Sequence, residues 1–173
     1  MINRIVLLTC LLVGVAACGS IERVEVDRSA VVREAVVDVK LACAYRLDSI
    51  EDARIDGEHA GALGWKLYRV EDVSSMVRDS LMPLGFQPAG GEGKRLDLRV
   101  MKLYVDAVNV TKIPVAVYEI SIDKGVPFLV RGQVPSMNWK GSKDEAMEAY
   151  ADAVREANRQ LVLRLNAGCE RAK

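Results

Sequence analysis

The stretch Leu96-Asp97-Leu98-Arg99-Val100-Met101-Lys102-Leu103-Tyr104-Val105-Asp106-Ala107 decides the architecture. Leu96, Leu98 and Val100 alternate with Asp97, Arg99 and Met101, the period of two with which a strand turns one apolar face to a core. The apolar parity then moves to Leu103, Val105 and Ala107. One face cannot hold both sets uncorrected. Either a β-bulge near Met101–Leu103 re-aims the chain, or the strand is buried on both faces there.

Downstream, Ala116, Tyr118, Ile120 and Ile122 mark a second strand. Asp123-Lys124-Gly125 makes the turn, and Phe128, Val130, Gly132 and Val134 return as the other arm of a hairpin. Ser142-Lys143-Asp144-Glu145 is a capping box, in which serine and glutamate satisfy each other's orphan N–H groups at a helix start. Met147, Tyr150, Val154, Ala157, Leu161 and Leu165 then recur at steps of three and four, an apolar stripe running to a stop at Gly168. A helix from Lys143 to Ala167 is about 37 Å long, enough to lie across the whole sheet.

Upstream, Val37, Val39, Leu41, Cys43, Tyr45 and Leu47 alternate with polar or small residues and predict the first strand. Ser49 to Lys66 holds no period and carries Gly57, Gly61 and Gly64, which reads as a loop ending in a short edge segment at Leu67–Arg69. Val70, Val73, Met76, Val77, Leu81 and Leu84 predict an amphipathic helix that Pro83 and Gly85 terminate. The order β-α-β-β-β-α places the chain in the α+β class. It predicts an antiparallel sheet of about four strands with two helices packed on one face.

The 173 residues suit one domain, and 28% charged against 50% apolar residues lies in the globular range. Formal charge is zero, so no electrostatic footprint for nucleic acid is present. At the N-terminus, Arg4 and the apolar run Ile5–Val15 have the form of a secretory signal, too short to cross a bilayer. Val15-Ala16-Ala17-Cys18 resembles the lipobox of bacterial lipoproteins. That resemblance implies cleavage after Ala17 and diacylglycerol and palmitate-type acylation of Cys18; ordinary signal cleavage with an incidental thiol is the alternative. Gly19 after the cysteine implies sorting to the inner leaflet of the outer membrane, facing the periplasm. The expected layout is a signal peptide over 1–17, a lipidated N-terminus and flexible tether over 18–33, and one globular domain over 34–173.

Cys10 leaves with the signal and Cys18 takes lipid, so Cys43 and Cys169 remain. An even remainder in an oxidising compartment predicts a disulfide joining the ends of the domain, with two unrelated buried thiols as the alternative.

No constellation for chemistry stands out. His59 is the single histidine and reads as a solvated loop residue, so multi-histidine metal sites are excluded. Gly90-Gly91-Glu92-Gly93-Lys94 fails as a phosphate loop: Pro88 stands where the first glycine is needed, Arg95 where the hydroxyl is needed, and the loop precedes a strand rather than a helix. Asn109-Val110-Thr111 matches a glycosylation sequon that has no weight behind a bacterial export signal. The expectation is no catalytic residue, no metal and no cofactor. Asp52 and Arg54 at the exit of the first strand form a short acidic-basic pair that either fixes the following loop by hydrogen bonds or is plain surface.

Several motifs in order resemble the YajG family of small bacterial envelope lipoproteins across about residues 36–165. They are Ile50-Glu51-Asp52-Ala53-Arg54, Gly85-Phe86, Leu96-x-Leu-x-Val-x-x-Leu-Tyr-Val105, and Trp139-x-Gly-Ser142-x-x-Glu145; the glycine-bearing segment 57–64 departs from the pattern. The family implies a lipid-anchored envelope protein with no established reaction and no catalytic residue to carry over. The functional expectation is therefore a non-enzymatic lipoprotein that binds or helps assemble another envelope component, a protein or a lipid. The alternative is an auxiliary lipoprotein that binds lipid for an envelope transport system, which requires an apolar groove between helix and sheet.

Overall fold

The computed structural model describes residues 21–108, 111–137 and 141–170. Cys18 and the signal segment lie outside the described residues. Eight strands and three α-helices follow one another as β1 (Glu22–Glu25), α1 (Arg28–Glu34), β2 (Tyr45–Asp52), β3 (His59–Leu63), β4 (Lys66–Arg69), α2 (Val73–Leu81), β5 (Lys94–Val108), β6 (Thr111–Ile122), β7 (Phe128–Gln133), β8 (Ser136–Met137) and α3 (Lys143–Glu170). The α+β class stands, but the antiparallel four-stranded sheet does not. The sheet is mixed, with β1 parallel to β4 and β2 parallel to β5 beside the antiparallel pairs β3–β4, β5–β6 and β6–β7.

β5 is the spine. One edge pairs with β6 along nearly its whole length, and the register slips between Val100 and Lys102. That slip is the bulge required by the change of parity. It brings Leu103 and Val105 onto the same buried face as Leu96, Leu98 and Val100, all at most 2% exposed. The other edge is shared: β2 runs parallel along Lys94–Val100, and β3 continues on the same edge at Gly61↔Val105. The bulge on one edge thus coincides with a change of partner on the other.

α3 crosses the sheet over β6 and β7. Its stripe Met147, Tyr150, Val154, Ala157, Leu161 and Leu165 is buried as the spacing requires, and the capping box is formed, with Ser142 Oγ accepting from Glu145 N at 3.1 Å and Glu145 Oε2 accepting from Ser142 N at 3.1 Å. Gly132 on β7 lets the helix approach closely, since a Cβ there would overlap Ala153 O and Ala157 N. α3 does not stop at Gly168. Tyr45 donates its hydroxyl to Leu165 O at 3.4 Å and Cys169 is covalently held, so the last turn is pinned and the glycine stays helical.

Three further expectations are corrected. Residues 18–33 were expected to form a tether, yet residues 22–33 belong to the fold: Val24 and Val26 enter the core, β1 pairs with β4, and α1, capped by Asp27 Oδ1 on Ala30 N, packs on α3 and α2. The first strand begins at Tyr45 rather than Val37. Residues 37–44 do alternate toward the core, but their backbone bonds go elsewhere, Leu41 N to Leu84 O at 3.0 Å and Ala42 N to Asn166 Oδ1 at 2.8 Å, so they form an irregular strap. The expected loop 49–66 holds the end of β2 and all of β3. Its glycines serve strand geometry: Gly61, at φ +112°, lies where a Cβ would overlap the Val105 carbonyl, and Gly64, at φ +60°, closes the β3–β4 turn.

Candidate functional site

The two ends of the domain differ in character. At one end the described chain begins at Ile21. Glu22 N donates to Trp65 O at 2.9 Å, and Lys66 Nζ donates to Gly141 O at 3.2 Å. The chain entry, the β3–β4 turn and the start of α3 therefore lie together. At this end Trp65 is 75% exposed and Ile21 60% exposed. Cys18 is only three residues upstream in sequence.

At the other end Cys43 is bonded to Cys169, with Cα atoms 6.1 Å apart, within ordinary disulfide range. The bond fixes the strap to the last turn of α3. Asn166 reinforces it by accepting from Ala42 N and donating to Lys40 O at 3.0 Å.

Between the ends, Arg54 sits in the excursion that carries the chain from β2 to β3. Its guanidinium makes a two-point contact with Asp52, Nε to Oδ1 at 2.8 Å and Nη2 to Oδ2 at 2.7 Å, and Nη2 also donates to Val70 O at 2.9 Å. The side chain is 3% exposed, so the surface alternative for this pair does not hold. The excursion interrupts pairing on the β5 edge after Ala53 N donates to Val100 O at 3.0 Å, and Arg54 ties it instead to Val70 at the exit of β4. The Arg54 hydrogen bonds hold the Asp52 carboxyl below its ordinary value against an opposing effect of burial. Nearby, Tyr150 donates to Ala60 O at 2.7 Å, and burial raises its hydroxyl well above the usual tyrosine range. The Tyr68 ring meets Tyr150 edge-on at 6.0 Å. Nε and Nη2 of the guanidinium are committed to carboxylate and carbonyl, while Nη1 is buried without a hydrogen-bond partner among the described residues.

His59 lies on β3 rather than in a solvated loop, half-buried and edge-on to Tyr104 at 5.7 Å. Among the described residues no group of three or more histidine, cysteine or carboxylate side chains is arranged to hold a metal. No helix among them is long and apolar enough to cross a membrane.

Along the middle of α3 the groove required for lipid binding is filled, Tyr150, Val154 and Leu161 each being 0% exposed. Toward the last turns of α3 an open depression of about 440 Å³ lies between helix and sheet, lined by Tyr45, Ile122, Phe128, Arg164, Leu165 and Gly168. An apolar depression of about 240 Å³ between α1, the strap and the end of α2, lined by Val32, Val36, Val37 and Leu84 among others, falls below the roughly 300–1,000 Å³ of small-molecule pockets.

Sequence reading missed the apolar surface. Leu129 on β7 is 58% exposed and Leu163 on α3 42% exposed. They line one open depression with Arg164 and Gln160, beside the outer edge of β7, the last strand of the sheet path. Their signal was an apolar residue at an out-of-phase position of an otherwise regular strand and helix.

No family model and no curated protein matches the sequence. Among solved structures, protein XCC0632 from Xanthomonas campestris, described as DUF330, is similar at a TM-score of 0.54 and 15% identity, covering 79% of this chain and 95% of that one. The chain shares with it a mixed α+β fold. A minor lipoprotein from Acinetobacter baumannii aligns with a TM-score of 0.40 at 8% identity over 70% of this chain and 94% of that one. Rare lipoprotein B from Shewanella oneidensis aligns with a TM-score of 0.38 at 13% identity over 75% and 97%. These last two likenesses are too loose to define a shared fold.

Proposed function

We propose that this protein is a non-enzymatic lipoprotein of the bacterial cell envelope, acylated on Cys18 and acting by binding another envelope protein. The observation that carries the reading is the two-ended layout. The lipobox cysteine joins the domain at the Ile21 end, and the exposed Leu129–Leu163 surface lies away from it, Leu163 being roughly 30 Å along α3 from that helix's start. A protein held by lipid at one end and carrying apolar surface beside the last strand of the sheet path is suited to recruit a partner at a fixed distance from the bilayer. The Cys43–Cys169 bond fits an oxidising compartment. Gly19 favours the outer membrane as the place of anchoring, with the domain facing the periplasm. The YajG-like motifs accord with this reading, and their Ile50–Arg54 element corresponds to the Asp52–Arg54 clasp.

The reading is tested by a photo-crosslinking residue placed at Leu163 in cells expressing the full precursor. A discrete adduct with one envelope protein, lost when Leu129 is changed to Asp, is the expected result. The same protein crosslinked to nothing, although fractionating with membranes, would sink the partner reading. A mature N-terminal peptide whose Cys18 is unmodified in mass spectrometry would sink the anchor reading.

A further inference from the structure

We infer that the β3–β4 turn, with Ile21 beside it, is a membrane-docking surface that rests in the headgroup region of the bilayer to which Cys18 is anchored. This rests on the lipoprotein reading and adds a second, non-covalent contact that orients the domain. Three residues separate Cys18 from Ile21, and a fully extended chain spans at most about 3.6 Å per residue, so Ile21 lies no more than about 11 Å from the acylated residue. With residues 22–25 already in the sheet, no tether carries the domain away. Whatever is beside Ile21 is held at the lipid surface.

What is beside it is Trp65. The main chains of the two segments are hydrogen-bonded through Glu22 N and Trp65 O, and Leu63 pairs with Lys66 across the two-residue turn Gly64-Trp65. A two-residue turn projects its side chains beyond the end of the sheet. The Trp65 indole, 75% exposed, takes no place in the core. Its apolar body and single N–H donor match the bilayer interface, where one side of the ring meets acyl chains and the other headgroups and water. Ile21 adds a second apolar side chain on the same side. Removal of residues 1–17 takes away Arg4 and leaves a formal charge of −1, so this contact depends on the indole and on the nearness enforced by the anchor rather than on a net attraction to anionic lipid. The start of α3 is at this end and the disulfide at the other, so a docked domain presents its stapled end on the side away from this contact.

The test uses the lipidated full chain, extracted from membranes and reconstituted into vesicles of phosphatidylethanolamine and phosphatidylglycerol, with or without bromine near the top of the acyl chains. Trp139 is the only other tryptophan, so the Trp65→Phe protein supplies the blank, and the difference spectrum reports Trp65 alone. The expected result is a blue-shifted Trp65 emission of which most is lost in brominated vesicles, with little dependence on the phosphatidylglycerol fraction. Mass spectrometry of the N-terminal peptide is run on the same sample. Acylated Cys18 with Trp65 emitting as a water-exposed indole, unquenched by bromine, overturns the docking surface and leaves the lipoprotein reading standing. An unacylated Cys18 overturns the lipoprotein reading, and the docking surface falls with it. Trp65→Ala, which removes no core contact, should unfold as the parent does, so a loss of docking in that variant is not a loss of fold.

Discussion

Reducing the Cys43–Cys169 bond should cost this domain a large share of its stability, and the structure sets the size of the effect. The bond closes a loop with a sequence separation of 126 residues, for which the chain-entropy relation puts the loss at about 5 kcal/mol near room temperature. Domains of this size shift by about 2–4 °C in Tm per kcal/mol, so the ceiling is a fall of roughly 10–20 °C. The measured fall should lie below that ceiling. Leu41 N to Leu84 O, and Asn166 bridging Ala42 N and Lys40 O, keep the strap on the helix after the sulfurs part. The assay is urea unfolding of the oxidised protein beside its Cys43→Ser/Cys169→Ser variant, followed by circular dichroism, with hydrogen exchange as a local readout. The variant should unfold at lower urea and lose amide protection first in residues 40–44 and in the last turn of α3. Superimposable unfolding curves, or two reactive thiols in the denatured but unreduced protein, would refute the reasoning.

Gly132→Ala should destabilise by about 3 kcal/mol, the upper part of the range for overpacking, because the new methyl meets main-chain atoms of Ala153 and Ala157 that cannot rotate aside; chemical denaturation measures it. At the clasp, Asp52→Ala should cost more than Arg54→Met, about 2–3 kcal/mol, since the first strands a buried guanidinium while the second removes the charge and keeps apolar bulk. Comparison of the two unfolding midpoints decides between them, and equal losses would argue against the desolvation account. The depressed Asp52 carboxyl adds stability that is complete above its unfolded value of about 3.9 and lost as pH falls through the lower folded value. The Asp52→Asn protein should therefore show a shallower acid limb in Tm against pH. Cys18→Ser should abolish acylation of the N-terminus, as loss of labelled fatty-acid incorporation into the immunoprecipitated protein would show.

Local signals were legible wherever a residue's nearest neighbours in sequence decide its state. The capping box, the turn at Asp123-Lys124-Gly125, the αL cap at Gly85 with φ +101°, and the bulge forced by parity between Val100 and Lys102 all belong to that class. Strand pairing does not. The alternation in Val37–Leu47 reports which side of the chain faces apolar surroundings, and it does so correctly, but it cannot tell a strand bonded to a neighbour from a strap bonded to Leu84 O and an asparagine side chain. In the same way the glycines at 57, 61 and 64 read as loop because glycine is permissive, whereas Gly61 is there to let β3 approach Val105.

The sequence by itself determined the α+β class and the long amphipathic helix; each depends on periodicity or on chemistry within a few bonds. Tertiary structure alone decided that residues 22–34 belong to the fold, that β2 and β3 share one edge of β5, and that Arg54 is buried at their junction. It also decided that the β3–β4 turn at Trp65 is hydrogen-bonded to the chain entry at Glu22. Those facts depend on contacts between residues tens of positions apart, where the energy lies in which surfaces exclude water together, and a pattern read along one chain contains no term for that.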